Sequence, residues 1–117
     1  MHLRNRAPEH EVALLERLPP FRRWSRRTLC RLVKHGERLH VDAGRTATRQ
    51  RRTCDEFYVL LAGRGALLHD GRSVVTLDRG DLLDDVSRHI GDDHALAFRA
   101  EEAMDLLCID LASVIDL

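Results

Sequence analysis

The period of the apolar positions changes near residue 36. From Glu9 to Leu18 the residues Val12, Leu14, Leu15 and Leu18 recur at helical spacing until Pro19-Pro20 stops the pattern. A second helix is predicted from Ser25, whose hydroxyl suits an N-cap. It presents Leu29, Leu32 and Val33 on one face, carries Lys34 and His35 in its last turn and meets Gly36 as its stop. Leu18, Phe21 and Trp24 lie between the two, so the Pro-Pro corner folds the first helix and its aromatics onto the body of the domain. Beyond Gly36, Leu39 and Val41 alternate with charged residues, and short strand segments are punctuated by Gly44, Gly63, Gly65, Gly71 and Gly80. Phe57 to Leu61 reads as a buried strand. Ala66 to His69 and Ser73 to Leu77 flank Asp70-Gly71, a pair that accepts positive φ and predicts a tight hairpin. Two further strands are expected at about 94–100 and 104–109, and Leu111, Val114 and Ile115 return to helical spacing. Short strands in series flanked by helices predict a mainly β barrel or jelly roll rather than a βαβ fold. No internal repeat, linker or low-complexity segment interrupts the pattern.

At 117 residues, with 44% hydrophobic and 32% charged side chains, the chain fits one domain, 1–117, and is too apolar to be disordered as a whole. No apolar run approaches the roughly 18 residues that span a bilayer, and residues 1–11 contain no signal-peptide core, so a cytoplasmic protein without membrane contact is expected. Cys30, Cys54 and Cys108 are odd in number and lack a CxxC, which argues against a disulfide framework or a zinc finger. Burial is expected for Cys30 and Cys108 and exposure for Cys54. The net charge of zero conceals a split. Residues 1–52 hold 14 basic and 5 acidic side chains, and residues 53–117 hold the remaining 5 and 14. Such an asymmetry marks either a basic partner-binding face or halves that neutralise one another on folding, and the scatter of the arginines favours the second.

Leu14 to Phe21, Ser25 to Leu32, Gly44, Asp55 to Gly63, Asp70-Gly71 and Leu77 to Asp81, taken in this order, resemble the cyclic-nucleotide-binding domains. Leu14 to Phe21 is similar to that family's opening helix and its Pro-containing corner, and Ser25 to Leu32 to the short helix that follows. Gly44 falls at a turn glycine of the family, Asp55-Glu56-Phe57-Tyr58-Val59-Leu60-Leu61-Ala62-Gly63 resembles its central strand, and Asp70-Gly71 its next hairpin. Leu77-Asp78-Arg79-Gly80-Asp81 is similar to the approach to its ligand site. The resemblance covers about residues 12 to 117. It implies a double-stranded β-helix (jelly roll) with flanking helices: a helical part over about 9–35, a β-roll over about 37–110 and the start of a C-terminal helix over 111–117.

The resemblance also implies a phosphate-binding cassette, in which Gly-Asp is followed by apolar residues, then Gly-Glu opening a short helix, and later Arg-Ser/Thr-Ala. Free N–H groups at the helix start, the arginine and the hydroxyl hold the cyclic phosphate, and the glutamate holds the ribose. Here Gly80, Asp81, Leu82 and Leu83 match, but Asp84 and Asp85 stand at the Gly-Glu positions and His94-Ala95-Leu96 at Arg-Ser/Thr-Ala. His94 lacks a guanidinium fork, Ala95 has no hydroxyl, and Asp84 sets a carboxylate where the anion belongs. Asp85 retains a sugar-binding option as a shortened glutamate, and Arg88 enters the site under an alternative register of residues 86–93. The ligand-facing set implied by the resemblance is thus Gly80, Asp81, Leu83, Asp84, Asp85, Val86, Arg88, His94 and Ala95.

Other chemistry is sparse. Asp84, Asp85, Asp92 and Asp93 also read as solvated loop acids. Asp85, His89, Asp92 and His94 are spaced closely enough to hold a divalent metal, although no HxH or HExxH accompanies them. His2, His10, His35, His40 and His69 have no mutual spacing that indicates a site. With no Gly-x-Ser-x-Gly, Walker loop or Cys-His pairing, no catalytic residue and no enzyme is expected. Arg22, Arg23, Arg26, Arg27 and Arg31, and then Arg45, Arg49, Arg51 and Arg52, form two basic groups suited to phosphate backbones. The Crp-Fnr-like factors that the domain resembles bind DNA through a separate helix-turn-helix, so direct nucleic-acid binding by this chain is not expected. The expectation is a non-enzymatic regulatory or interaction module, without a cofactor and with weak or lost cyclic AMP or GMP binding. The alternatives are a sensor with altered cassette chemistry and a metal-binding cupin-like protein. Leu111, Val114, Ile115 and Leu117, with Leu14 and Leu18, are the expected surface for a protein partner or a homodimer.

Overall fold

The computed structural model describes residues 8–51, 56–84, 86–92 and 95–110. Helices α1 (Glu9–Glu16) and α2 (Arg26–His35) flank a 3-10 turn at Pro19–Phe21. Strands β1 (Glu37–Val41), β2 (Thr46–Gln50), β3 (Glu56–His69), β4 (Arg72–Asp78) and β5 (Leu82–Leu83) follow, then the short helix α3 (Ser87–Ile90) and strand β6 (Ala95–Asp110). The Ser25 hydroxyl accepts from the Thr28 N–H at 3.1 Å and caps α2 as predicted. The expected C-terminal helix lies outside the described residues.

All pairing is antiparallel, in the order β1-β6-β3-β4, with β2 also on β6 and β5 on β3. The two strands expected at 94–100 and 104–109 are one strand, β6. Its first part pairs with β2 from Ala95 to Arg99, its last part pairs with β1 from Met104 to Cys108, and β3 runs along its other edge. Likewise, the segments 57–61 and 66–69 are parts of a single β3. Gly63 and Gly65, expected to punctuate strands, sit inside β3 where its register against β6 shifts. A Cβ on Gly63 would stand 2.0 Å from the Ala103 carbonyl oxygen, and its φ is +87°. A glycine here lets the long strand bulge and bend instead of ending it.

Two apolar clusters lie on either side of β3 and β6. Tyr58, Leu60, Leu106 and Cys108 point into the roll, where they meet Phe98, Leu96, Met104 and Leu83. The alternate residues Phe57, Val59, Leu61, Leu107 and Ile109 point the other way, against Val12, Leu15, Phe21, Leu29 and Val33 of the helical part. Coverage of both faces explains why Phe57–Leu61 is continuously apolar rather than alternating. The Asp70-Gly71 hairpin is formed, with φ of +52° and +78° at its two residues.

Charge neutralisation is partly local. Arg38 pairs with Glu11, and Arg26 with Glu16, inside the basic half. Arg49–Glu56 and His40–Asp105 join the two halves. Arg17, Arg22, Arg23 and Arg27 are exposed around the helices. No described helix is long and apolar enough to cross a membrane.

Candidate functional site

The segment that follows β4 is fixed to the middle of β3. The Gly80 N–H donates to the Leu60 carbonyl at 2.8 Å, and the Leu60 N–H donates to the Asp81 carbonyl at 3.0 Å. Gly80 has a φ of +92°, a conformation that an L side chain rarely adopts. The Asp81 carboxylate accepts from the Asp78 N–H at 2.7 Å, so this acid closes a turn. Leu82 and Leu83 then pair with Val59 and Tyr58. From there the burial alternates sharply: Leu83, Val86 and Ile90 are buried in the interior cluster, whereas Asp84, Ser87, Arg88 and His89 are exposed. The four residues of α3 therefore dock by their apolar side, and Arg88 lies on the exposed side. Asp92 is exposed, and Ala95 opens β6 opposite Gln50. Asp85, Asp93 and His94 lie outside the described residues. Among the described residues no group of three or more His, Cys, Asp and Glu side chains is placed to hold a metal ion.

The residue that reaches α3 from the opposite side is Arg51, which sequence reasoning grouped with a surface patch. It is 5% exposed. Its Nη1 donates to the Ser87 Oγ at 3.2 Å and its Nη2 to the Gly91 carbonyl at 3.5 Å, while its buried Nε–H has no partner. Arg49 also departs from that patch. Its Nε and Nη2 donate to the two oxygens of buried Glu56 at 2.9 and 3.1 Å, and it pairs with Glu37 at 2.7 Å. Arg45 is exposed. One signal was available for Arg49: a chain that buries Glu56 must supply a cation nearby. Arg51 is flanked by Gln50 and Arg52, and nothing in that context distinguishes it from a solvated arginine.

Glu56 is also bonded from within the roll. The Tyr58 hydroxyl donates to Glu56 Oε1 at 2.5 Å, and burial together with that hydrogen bond pushes the phenol well above its usual range. Burial pushes the Cys108 thiol up to about 12, against the opposing influence of Arg49. Cys30, expected to be buried, is half-buried, and Cys54 lies outside the described residues. On the far edge His40 is bonded by Asp105 at 2.7 Å and Asp42 at 2.9 Å, and both hold its pKa above the usual value, Asp105 most.

No family model and no curated protein matches the sequence. Solved structures do match its fold. A cyclic nucleotide-binding-like protein from Brucella abortus superposes with a TM-score of 0.62 at 18% identity, over 92% of this chain and 98% of that one. This chain has the fold of the cyclic-nucleotide-binding domains. Two kinase regulatory proteins share that fold. The cAMP-bound fragment of PfPKA-R has a TM-score of 0.61 at 15% identity, over 91% of this chain and 38% of its own length. The regulatory subunit of a cAMP-independent protein kinase A from Trypanosoma cruzi, bound to guanosine, has a TM-score of 0.63 at 12% identity, over 93% and 39%. The same fold is thus found with different bound ligands.

Proposed function

We propose that the chain is a non-enzymatic regulatory or interaction module in which the cyclic-nucleotide-binding fold no longer holds cyclic AMP or cyclic GMP. The observation that carries this reading is the position of Asp84, an exposed carboxylate between buried Leu83 and the start of α3, where the phosphate of such a ligand would require hydrogen-bond donors. Two unit charges 4 Å apart repel by about 1 kcal/mol in water and about 4 kcal/mol at an effective dielectric near 20. Either value is a substantial part of the roughly 8 kcal/mol behind a micromolar complex. Arg88 lies on the exposed side of α3. Ala95 offers no hydroxyl.

The guanosine bound in the cAMP-independent subunit supports the same direction, since there the fold accompanies a ligand without a cyclic phosphate. In this reading the domain works in the cytoplasm through a protein partner or a second copy, for which the segment 111–117 and the exposed arginines around α2 are the candidate surfaces. Titration calorimetry with cyclic AMP and cyclic GMP tests the central point. No binding at ligand concentrations up to about a hundred times a micromolar Kd is expected. A micromolar complex with either nucleotide overturns the reading.

A further inference from the structure

Arg49 and Arg51 stand two residues apart at the end of β2 and differ in one respect. The side-on edge of Arg49 is filled by the Glu56 carboxylate, with Nε and Nη2 at 2.9 and 3.1 Å from its two oxygens. Arg51 is more deeply buried, at 5% exposure, and its described partners are a hydroxyl at 3.2 Å and a backbone carbonyl at 3.5 Å. Its Nε–H, half of the side-on fork that matches a carboxylate or phosphate, is unbonded. A guanidinium stays charged at any physiological pH, so it cannot relieve its burial by losing a proton. Buried charges are ordinarily paired, and an unpartnered one is among the costliest features a fold retains.

We propose that Arg51 is the receptor for an oxyanion, a carboxylate or phosphate group of a small ligand, taken at the seam between the end of β2 and α3. This rests on the reading that the cassette has given up its cyclic phosphate, and it names the chemistry that replaces it. The Nε–H and Nη2 edge supplies the fork. The Ser87 Oγ accepts from Nη1 on the other side of the guanidinium and holds the fork in place. Access to this buried edge requires a local shift of α3, which has four residues and is joined to Arg51 through two neutral acceptors, one of them at 3.5 Å. Ala95 lies opposite Gln50, which places the first residue of β6 beside this same end of β2. Anion capture there would bridge the end of β2 and α3 and give the module a ligand-dependent state.

The test follows the Arg51 Nε–H resonance by two-dimensional NMR of the whole chain during titration with sodium acetate, inorganic phosphate and cyclic AMP, with sodium chloride at matched ionic strength as control. A saturable shift with acetate or phosphate and none with chloride is expected, and the stronger of the two identifies the ligand group. Arg51→Gln is expected to weaken that binding by at least about tenfold, while Arg23→Gln, exposed just before α2, leaves it unchanged. An Nε–H that responds to neither anion, or an Arg51→Gln variant that binds equally well, shows Arg51 to be a strut for α3 and overturns the proposal. Because the resonance is read in the unmodified protein, a variant that fails to fold does not remove the test. Saturation by cyclic AMP through Arg51 would instead overturn the loss of cyclic-nucleotide binding and leave the receptor role standing.

Discussion

Arg49 grips Glu56 side-on, Nε to Oε1 at 2.9 Å and Nη2 to Oε2 at 3.1 Å, across the connection between β2 and β3. The Glu56 side chain is 2% exposed and that of Arg49 14%, so the pair is withdrawn from water together. Tyr58 adds a third bond to the carboxylate. Withdrawal of both ions is costly, and the pair is not by itself a source of net stability. Removing one partner is a different matter.

Arg49→Met is expected to lower stability by about 3 kcal/mol, because it leaves a buried carboxylate with a phenol and no cation. The double variant Arg49→Met, Glu56→Leu should recover more than half of that loss, since no charge is then stranded. Urea denaturation of the four proteins of the cycle measures both numbers. Equal stability of the single and double variants would show that the connection is held by something other than this pair.

How much of this was legible beforehand depends on the distance over which a residue's environment is decided. The period of Leu29, Leu32 and Val33 with the Ser25 cap, and the Asp70-Gly71 turn, are local, and both formed as read. The unity of β6 is not local. Arg99 to Ala103 carries charge and no large apolar residue, so it reads as a break, yet β3 continues beside it and holds the strand extended. Arg51 is the extreme case. It is buried, and its hydrogen bond to Ser87 reaches 36 residues further along the chain. The stretch from Gly80 to Leu83 carries its family resemblance in the sequence because it depends on a turn and a short strand.

Gly63 and Gly71 both have positive φ but differ in surroundings, which separates conformational strain from steric exclusion. A Cβ on Gly71 meets nothing within 4 Å, whereas one on Gly63 meets the Ala103 carbonyl oxygen at 2.0 Å. Gly71→Ala should cost about 1 kcal/mol, the left-handed penalty alone. Gly63→Ala should cost at least about 2 kcal/mol, because β3 and β6 must also separate. Thermal unfolding of the two variants gives the comparison, and equal losses would mean that the bulge adapts.

Burial raises the Cys108 thiol to about 12, and its side chain lies inside the roll. At pH 8 almost none of it is thiolate, so alkylation by iodoacetamide should be undetectable in the folded protein and fast in denaturant. Half-buried Cys30 should be modified at least about tenfold faster than Cys108 under native conditions. Peptide mass spectrometry assigns each site. Native labelling of Cys108 at the rate of Cys30 would mean that the roll opens frequently.

His40 links β1 to β6 at the surface, where it is paired in register with Asp105 and bonded to it and to Asp42. Those two acids raise its folded pKa above 6.5, Asp105 most. A raised histidine binds its proton more tightly when folded than when unfolded. Its stabilising contribution is therefore complete below the unfolded pKa and disappears as pH rises through the folded one. The window in which it fades begins near 6.5 and ends above the folded pKa. The difference between wild type and His40→Gln isolates the effect of this one side chain. Urea midpoints measured from pH 5.5 to pH 9 should show wild type ahead at the acidic end and the two converging at the alkaline end. The exposure of the site keeps the difference small and makes it shrink with added salt. A gap that is constant across this range, or that widens toward alkaline pH, would show that the neutral imidazole holds the strands as well as the charged one does.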